Sequence, residues 1–173
     1  MIDLLIFSTI YKQNLSGYAI KAYIDGNYSP FFKISTGAIY PVLKKLINNN
    51  LIIENSSFSQ GGQKKIIYSI TNKGKDFFLK KLLENFSNSP QNAQNEFIAK
   101  FLCLNELEIE YKLEIINKLD KYLEYEKLKL EKHILKLKEN SQNKFLLRLV
   151  ESKQFELNEK KMMLKQIKSV QNL

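Results

Sequence analysis

The chain has 173 residues, a formal net charge of +9 and 44% hydrophobic residues, with one cysteine, Cys103. That apolar share is enough for a packed core, and a single thiol excludes an internal disulfide framework or a cysteine-built zinc site. Asp3 interrupts the first apolar run, no basic leader precedes it, and no stretch approaches the roughly 18 apolar residues of a membrane span, so the expectation is a cytoplasmic protein with no membrane contact.

In chain order, Ile2, Leu5, Ile6 and Ile10 have helical spacing. Ser16 is placed to cap a second helix that runs to about Asn27, with Ala19, Ile20 and Tyr23 inward. The segment from Tyr28 to Lys33, containing Pro30, reads as a loop. A third helix is expected from about Ser35, with Ile39, Leu43, Leu46 and Ile47 on one face. Pro41 falls inside it, and a mid-helix proline costs about 3 kcal/mol. That helix must therefore start late, near Ala38, or open with a looser turn. The period then changes: Leu51–Ile53 and Ile66–Ile70 read as strands of a hairpin, with Gly61-Gly62 supplying a turn. Thr71 is placed to cap a fourth helix carrying Phe77, Phe78, Leu82 and Leu83.

Ser87 to Asn92 is polar, contains Pro90 and has no apolar residue, which makes it the natural seam. It divides a domain of residues 1–86 from a helical domain of residues 93–173. The first 86 residues hold 11 lysines against 5 carboxylates, a sparse and positively biased set. The remainder has 16 Lys+Arg against 13 Asp+Glu, a dense and mixed set. Such a contrast suits a nucleic-acid domain followed by solvated helices. In the second part Ile109, Ile116, Leu123, Leu130 and Leu137 recur every seven residues, widened by Leu113, Leu119 and Ile134. A further helix from about Asn143 to Val170 places Leu146, Leu149, Val150, Leu157, Leu164 and Ile167 inward. Two such antiparallel helices leave apolar surface that a second copy of the chain would cover; an intramolecular bundle is the alternative.

Helix, helix, helix, hairpin, helix is the order of a winged helix-turn-helix. The fold class expected is mostly α with a small β-hairpin. Within it, Ser35-Thr36-Gly37-Ala38-Ile39-Tyr40-Pro41-Val42-Leu43-Lys44-Lys45-Leu46 resembles the recognition-helix signature of the PadR family of bacterial regulators. Ser16-Gly17-Tyr18-Ala19-Ile20 resembles that family's His-Gly-Tyr-Glu-Ile stretch, with His and Glu replaced. Gly61-Gly62-Gln63-Lys64-Lys65 is similar to its Gly-Arg-Pro-Arg wing, without the arginines and proline. Tyr68-Ser69-Ile70-Thr71-Asn72-Lys73-Gly74 closely matches its Tyr-x-(Ile/Leu)-Thr-x-x-Gly. The resemblance covers nearly all of residues 1–86. It implies a dimeric DNA-binding repressor with a C-terminal helical dimerisation domain, acting on a palindromic operator in double-stranded DNA.

On that reading Ser35, Thr36, Gly37 and Ala38 are small residues that let a recognition helix approach a groove closely. Tyr40, Lys44, Lys45 and, on the wing, Gln63, Lys64, Lys65 and Tyr68 complete the candidate DNA-binding set. Their bland counterparts are a helix cap, a core aromatic, solvated lysines and an ordinary exposed turn. Phe97, Phe101 and Leu104 line one side of an apolar helix, where the resemblance implies a small aromatic effector and simple core packing is the alternative. Catalysis finds no support. His133 is the lone histidine in a Lys/Glu-rich helix, Cys103 sits between two leucines, and no phosphate loop, nucleophile elbow or metal cluster occurs. No cofactor, metal or catalytic residue is expected. The competing class is a protein-interaction scaffold built on the same winged helix.

Overall fold

The computed structural model describes residues 1–58, 62, 64–139 and 144–170. Chain order runs α1 (Ile2–Ile10), β1 (Leu15–Ser16), α2 (Gly17–Tyr28), α3 (Thr36–Asn48), β2 (Ile52–Phe58), β3 (Lys64–Ile70), α4 (Asn72–Leu82), α5 (Pro90–Cys103), a 3-10 turn (Leu104–Glu106), α6 (Ile109–Lys138) and α7 (Lys144–Val170). Helices dominate, and the three strands form one antiparallel sheet in the order β1-β3-β2. The expected mostly helical winged fold is what the chain adopts.

The helix starts follow from side-chain chemistry. Ser16 caps α2, its hydroxyl accepting from the Ala19 N–H at 3.2 Å. Thr71 caps α4 by accepting from the Gly74 N–H at 2.9 Å. α3 neither starts late nor opens loosely: it begins at Thr36 with a tight turn, the Ala38 N–H donating to the Ser35 carbonyl at 3.0 Å, and carries Pro41 within it. The same helix closes on Asn50, which takes φ 56°. Asn50 N–H then reaches Ile47 O at 2.8 Å and Leu51 N–H reaches Leu46 O at 2.9 Å, the paired bonds of a Schellman ending.

The molecule divides into two compact units, Met1–Tyr111 and Lys112–Leu173. In the first, α1 is the central element, contacting α2, α3, α4 and α5. Every residue from Leu4 to Ile10 is buried, not one face only, because Leu4 and Phe7 complete the apolar surface around the expected stripe. Its two hydroxyls are satisfied internally: Ser8 Oγ donates to Leu5 O and Thr9 Oγ1 to Ile6 O, each at 2.8 Å. The Ser87–Asn92 stretch is not where the units part. There Ser87 N–H donates to Glu96 Oε2 at 2.9 Å, and Lys100, buried in α5, donates to Glu84 O at 2.5 Å. The Cys103 thiol donates to Leu4 O at 3.6 Å. These bonds tie α5 to the elements before it, so it packs with the first unit.

Two strand expectations change. β2 and β3 are seven residues each, longer than the apolar runs, because polar Glu54 to Ser57 continue the ladder opposite Lys65 to Tyr68. β1 exists only as two residues paired with Tyr68 and Ile67. Gly62 has the expected positive φ, 75°; Gly61 lies outside the described residues.

In the second unit Ile116, Leu119, Leu123, Ile134 and Leu137 of α6 are buried as the seven-residue spacing implies, and Ile115 is buried beside them. Leu113 and Leu130 are only half-buried, and Ile109, at the start of the helix, is exposed. The pairs Lys161–Glu124 and Lys168–Asp120 set α7 antiparallel to α6. Leu157 and Leu164 are buried, whereas Leu146 and Leu149, expected inward, are exposed. The buried line runs through Leu157 and Leu164, one heptad apart, and the two earlier leucines fall off it.

Candidate nucleic-acid interface

α3 presents its buried face through Ile39, Leu43 and Leu46. At about 100° per residue this leaves Gly37, Pro41, Lys44 and Asn48 facing outward, and all four are exposed. Ser35 and Thr36, at the start of the helix, are exposed as well, and Ala38 is half-buried. Ser35 makes no side-chain cap bond to the helix, so its hydroxyl is not committed there. Pro41 has no N–H to give, which frees the Gly37 carbonyl from its usual bond one turn on.

Tyr40 is 47% exposed and lies on one flank of α3. A Cβ added to Gly17 would lie 2.9 Å from its Cε1, so a larger residue at the α2 start would push this exposed ring aside. Lys45 lies about 140° around the helix from Tyr40. It is exposed, but on the opposite flank, where it lines a groove with Val42 and Asn49. The candidate lysines of α3 thus split: Lys44 joins the outward face, and Lys45 does not share Tyr40's side.

On the hairpin, Lys64 and Lys65 are exposed at the start of β3. They pair with Phe58 and Ser57 of β2. Gln63 lies outside the described residues. Tyr68 is 7% exposed, in the ladder between Leu15 and Glu54, so it contributes to the sheet's packing and is not presented with the lysines. Burial, then the nearby Glu54 and Tyr40, raises its phenol above the ordinary range.

The residue model in the winged part matches a known family. The Transcriptional regulator PadR-like family model aligns with residues 6–80, which run from α1 into α4. A PadR family transcription regulator from Clostridium difficile R20291 is 35% identical over 46% of this chain and 81% of its own, with a TM-score of 0.42. The chain belongs to the PadR-like family of transcriptional regulators. Two solved structures span nearly its full length: Bacillus subtilis PadR in complex with operator DNA, 19% identical over 97% of this chain and 96% of that one, TM-score 0.47, and a Streptococcus mutans UA159 protein, 20% identical over 96% and 98%, TM-score 0.45. No curated protein matches the chain. The assignment stands on the family match and on sequence identity, not on these superpositions.

For a PadR-like regulator the remaining candidates fall as follows. Phe97 and Leu104 are buried and Phe101 is half-buried; the Phe97 and Phe101 rings stack nearly parallel, centroids 6.4 Å apart. Cys103 is fully buried, and burial pushes its thiol up to about 12, as befits a small core residue. Among the described residues no group of His, Cys, Asp and Glu could hold a metal ion, and no helix is long and apolar enough to cross a membrane.

Among the exposed aromatics that escaped the sequence reading, Tyr18 and Phe58 are the most exposed of the first unit. Tyr18, 81% exposed, follows Gly17 in the first turn of α2. Its signal was available: Ile20, Ile24 and Tyr28 mark the inner face, which leaves position 18 outward. Phe58, 71% exposed, closes β2 opposite Lys64. Nothing in its polar surroundings marks it as strand, so alternation could not have placed it.

Proposed function

We propose that this PadR-like regulator binds double-stranded DNA as a homodimer and represses transcription from a palindromic operator. The observation that carries the reading is the outward surface of α3, where Ser35, Thr36, Gly37, Tyr40 and Lys44 offer small, hydroxylic and cationic groups without a competing intramolecular role for most of them. Ala38 permits the close approach, Tyr18 and Tyr40 supply hydroxyls for phosphate, and Lys64, Lys65 and Gln63 of the wing hold the backbone. Lacking arginine, the wing favours phosphate contact over insertion into a narrow minor groove.

The homodimer part is supported by the second unit. Leu128, Leu135, Phe145, Leu149 and Phe155 are each at least half exposed on helices whose own core is already closed. Large apolar groups left in water at that density favour burial by a second copy. On this reading residues 1–86 form the DNA-binding part and 93–173 the dimerising part. Effector control, on the same reading, would fall to a small aromatic molecule at Phe97, Phe101 and Leu104.

The test is a mobility shift on the region upstream of the gene, with unrelated competitor DNA, across a salt series. Specific binding that falls steeply with salt is expected, because lysine–phosphate contacts release counterions. The double substitution Lys64→Glu and Lys65→Glu should weaken it at least tenfold. Binding that unrelated DNA removes equally, or that tolerates the charge reversals, would move the protein-interaction reading ahead.

A further inference from the structure

A half-open groove of about 700 Å³ lies within the first unit, between the start of α1, the Lys45 flank of α3 and the outer side of α4. Its walls are apolar: Ile2, Val42, Leu46 and Phe77 line it. Its charged groups are not balanced. The single carboxylate, Asp3, is already engaged by Lys81 at 2.8 Å and by the Met1 ammonium at 2.9 Å. Lys81 in turn lies 5.6 Å from the centroid of the Phe77 ring. That leaves Lys45 and Lys73 as cations facing the groove without a carboxylate partner among the described residues. Lys73 is held in place by donating to the Asn49 carbonyl at 2.9 Å.

Volume, apolar walls and two lysines in the lining without a carboxylate partner specify a ligand. We propose that this groove binds a small amphipathic carboxylate, its apolar body on Val42, Leu46 and Phe77 and its anionic head between Lys45 and Lys73. A cavity of 300–1,000 Å³ with mostly apolar lining and a few convergent polar groups is the usual form of a small-molecule site. Asp3 stays ionised over the physiological range, because the hydrogen bonds from Lys81 and the N-terminus outweigh its burial. It therefore neutralises Lys81 and does not compete for the other two lysines. The proposal does not depend on DNA binding.

The full chain, labelled with ¹⁵N, is titrated with octanoate, with acetate and with 1-octanol, and amide shifts are followed. Octanoate should move the amides of Val42, Leu46, Asn49 and Phe77 saturably, acetate should not, and 1-octanol should bind more weakly. Lys73→Gln should weaken octanoate roughly threefold to fivefold while leaving 1-octanol unchanged, with its thermal melt confirming that it folds. Equal binding of octanoate and 1-octanol, or no effect of Lys73→Gln, would overturn the assignment of an anion site. So would shifts confined to α6 and α7, or groove amides that move on dilution alone, which would mean that a second copy covers the groove.

Discussion

The two compact units use apolar side chains in opposite ways. In Met1–Tyr111 a thick core closes around α1, with Phe7, Phe78, Ile20, Ile24, Ile39 and Leu82 at or near zero exposure and the Phe78 ring 5.5 Å from that of Phe7, even though Tyr18 and Phe58 stand outside it. In Lys112–Leu173 a thin buried line through Leu119, Leu123, Leu157 and Leu164 coexists with Phe145 at 89% and Leu149 at 70% exposure. Globular closure needs elements arranged around a centre, as four helices surround α1; a pair of long helices has no inside large enough for all its apolar residues. The difference teaches that similar hydrophobic content yields a finished core in one unit and an unfinished surface in the other.

Removing a ring on each side should test that contrast most strongly. Phe78→Ala should cost about 3–5 kcal/mol in urea denaturation followed by circular dichroism. A loss under about 1 kcal/mol would mean that the first unit's core is loose. Next in size is Gly74→Ala. A Cβ there would run into the Leu51 carbonyl, a backbone group that cannot step aside, and about 1–3 kcal/mol should be lost.

Asp3→Asn should cost about 1–2 kcal/mol at pH 7. Its side chain is 22% exposed. Burial alone would raise the carboxyl, but the hydrogen bonds of Lys81 and the N-terminus hold it at about 2, below its ordinary 3.8. A depressed folded value stabilises above the unfolded one and loses that contribution as pH falls from about 4 toward 2. The stability difference between parent and variant should therefore close over that window; a difference that persists at pH 2 would assign it to packing. The smallest effect on fold stability is expected for Leu149→Ala with Phe155→Ala, within about 0.5 kcal/mol for the isolated unit. What these should reduce is self-association, read by sedimentation velocity at micromolar concentration. Unchanged sedimentation would leave the exposed residues as ordinary surface.

The parts of the fold legible in the sequence are those decided locally. Ser16 and Thr71 announce helix starts because their hydroxyls can accept a backbone N–H three residues on. The four-helix-and-hairpin order and the exposure of Ser35 to Gly37, Lys44, Lys64 and Lys65 follow from period and composition. What was illegible is decided by distant partners. Leu15–Ser16 is strand only because β3 offers it an edge, and Glu54 to Ser57 are strand only because β3 lies opposite. The polar seam at residues 87–92 reads as a linker, yet Glu96 binds Ser87 and Lys100 binds Glu84 just before it, which ties the seam to α5. Tyr68 sits in a family motif, and a motif does not say whether a ring faces outward or into a sheet. Lys44 and Lys45, adjacent in sequence, part company because one residue turns a helix by about 100°.

The Leu51 backbone has a mechanical consequence. Its N–H closes the end of α3 on Leu46, while its carbonyl accepts both the Thr71 N–H and the Thr71 hydroxyl, each at 3.1 Å. Gly74 of α4 packs directly on that carbonyl. One residue thus clamps the end of α3, the root of both hairpin strands and the start of α4. The angle between α3 and the base of the hairpin is consequently set like a welded bracket, and any surface that meets both must conform to that angle.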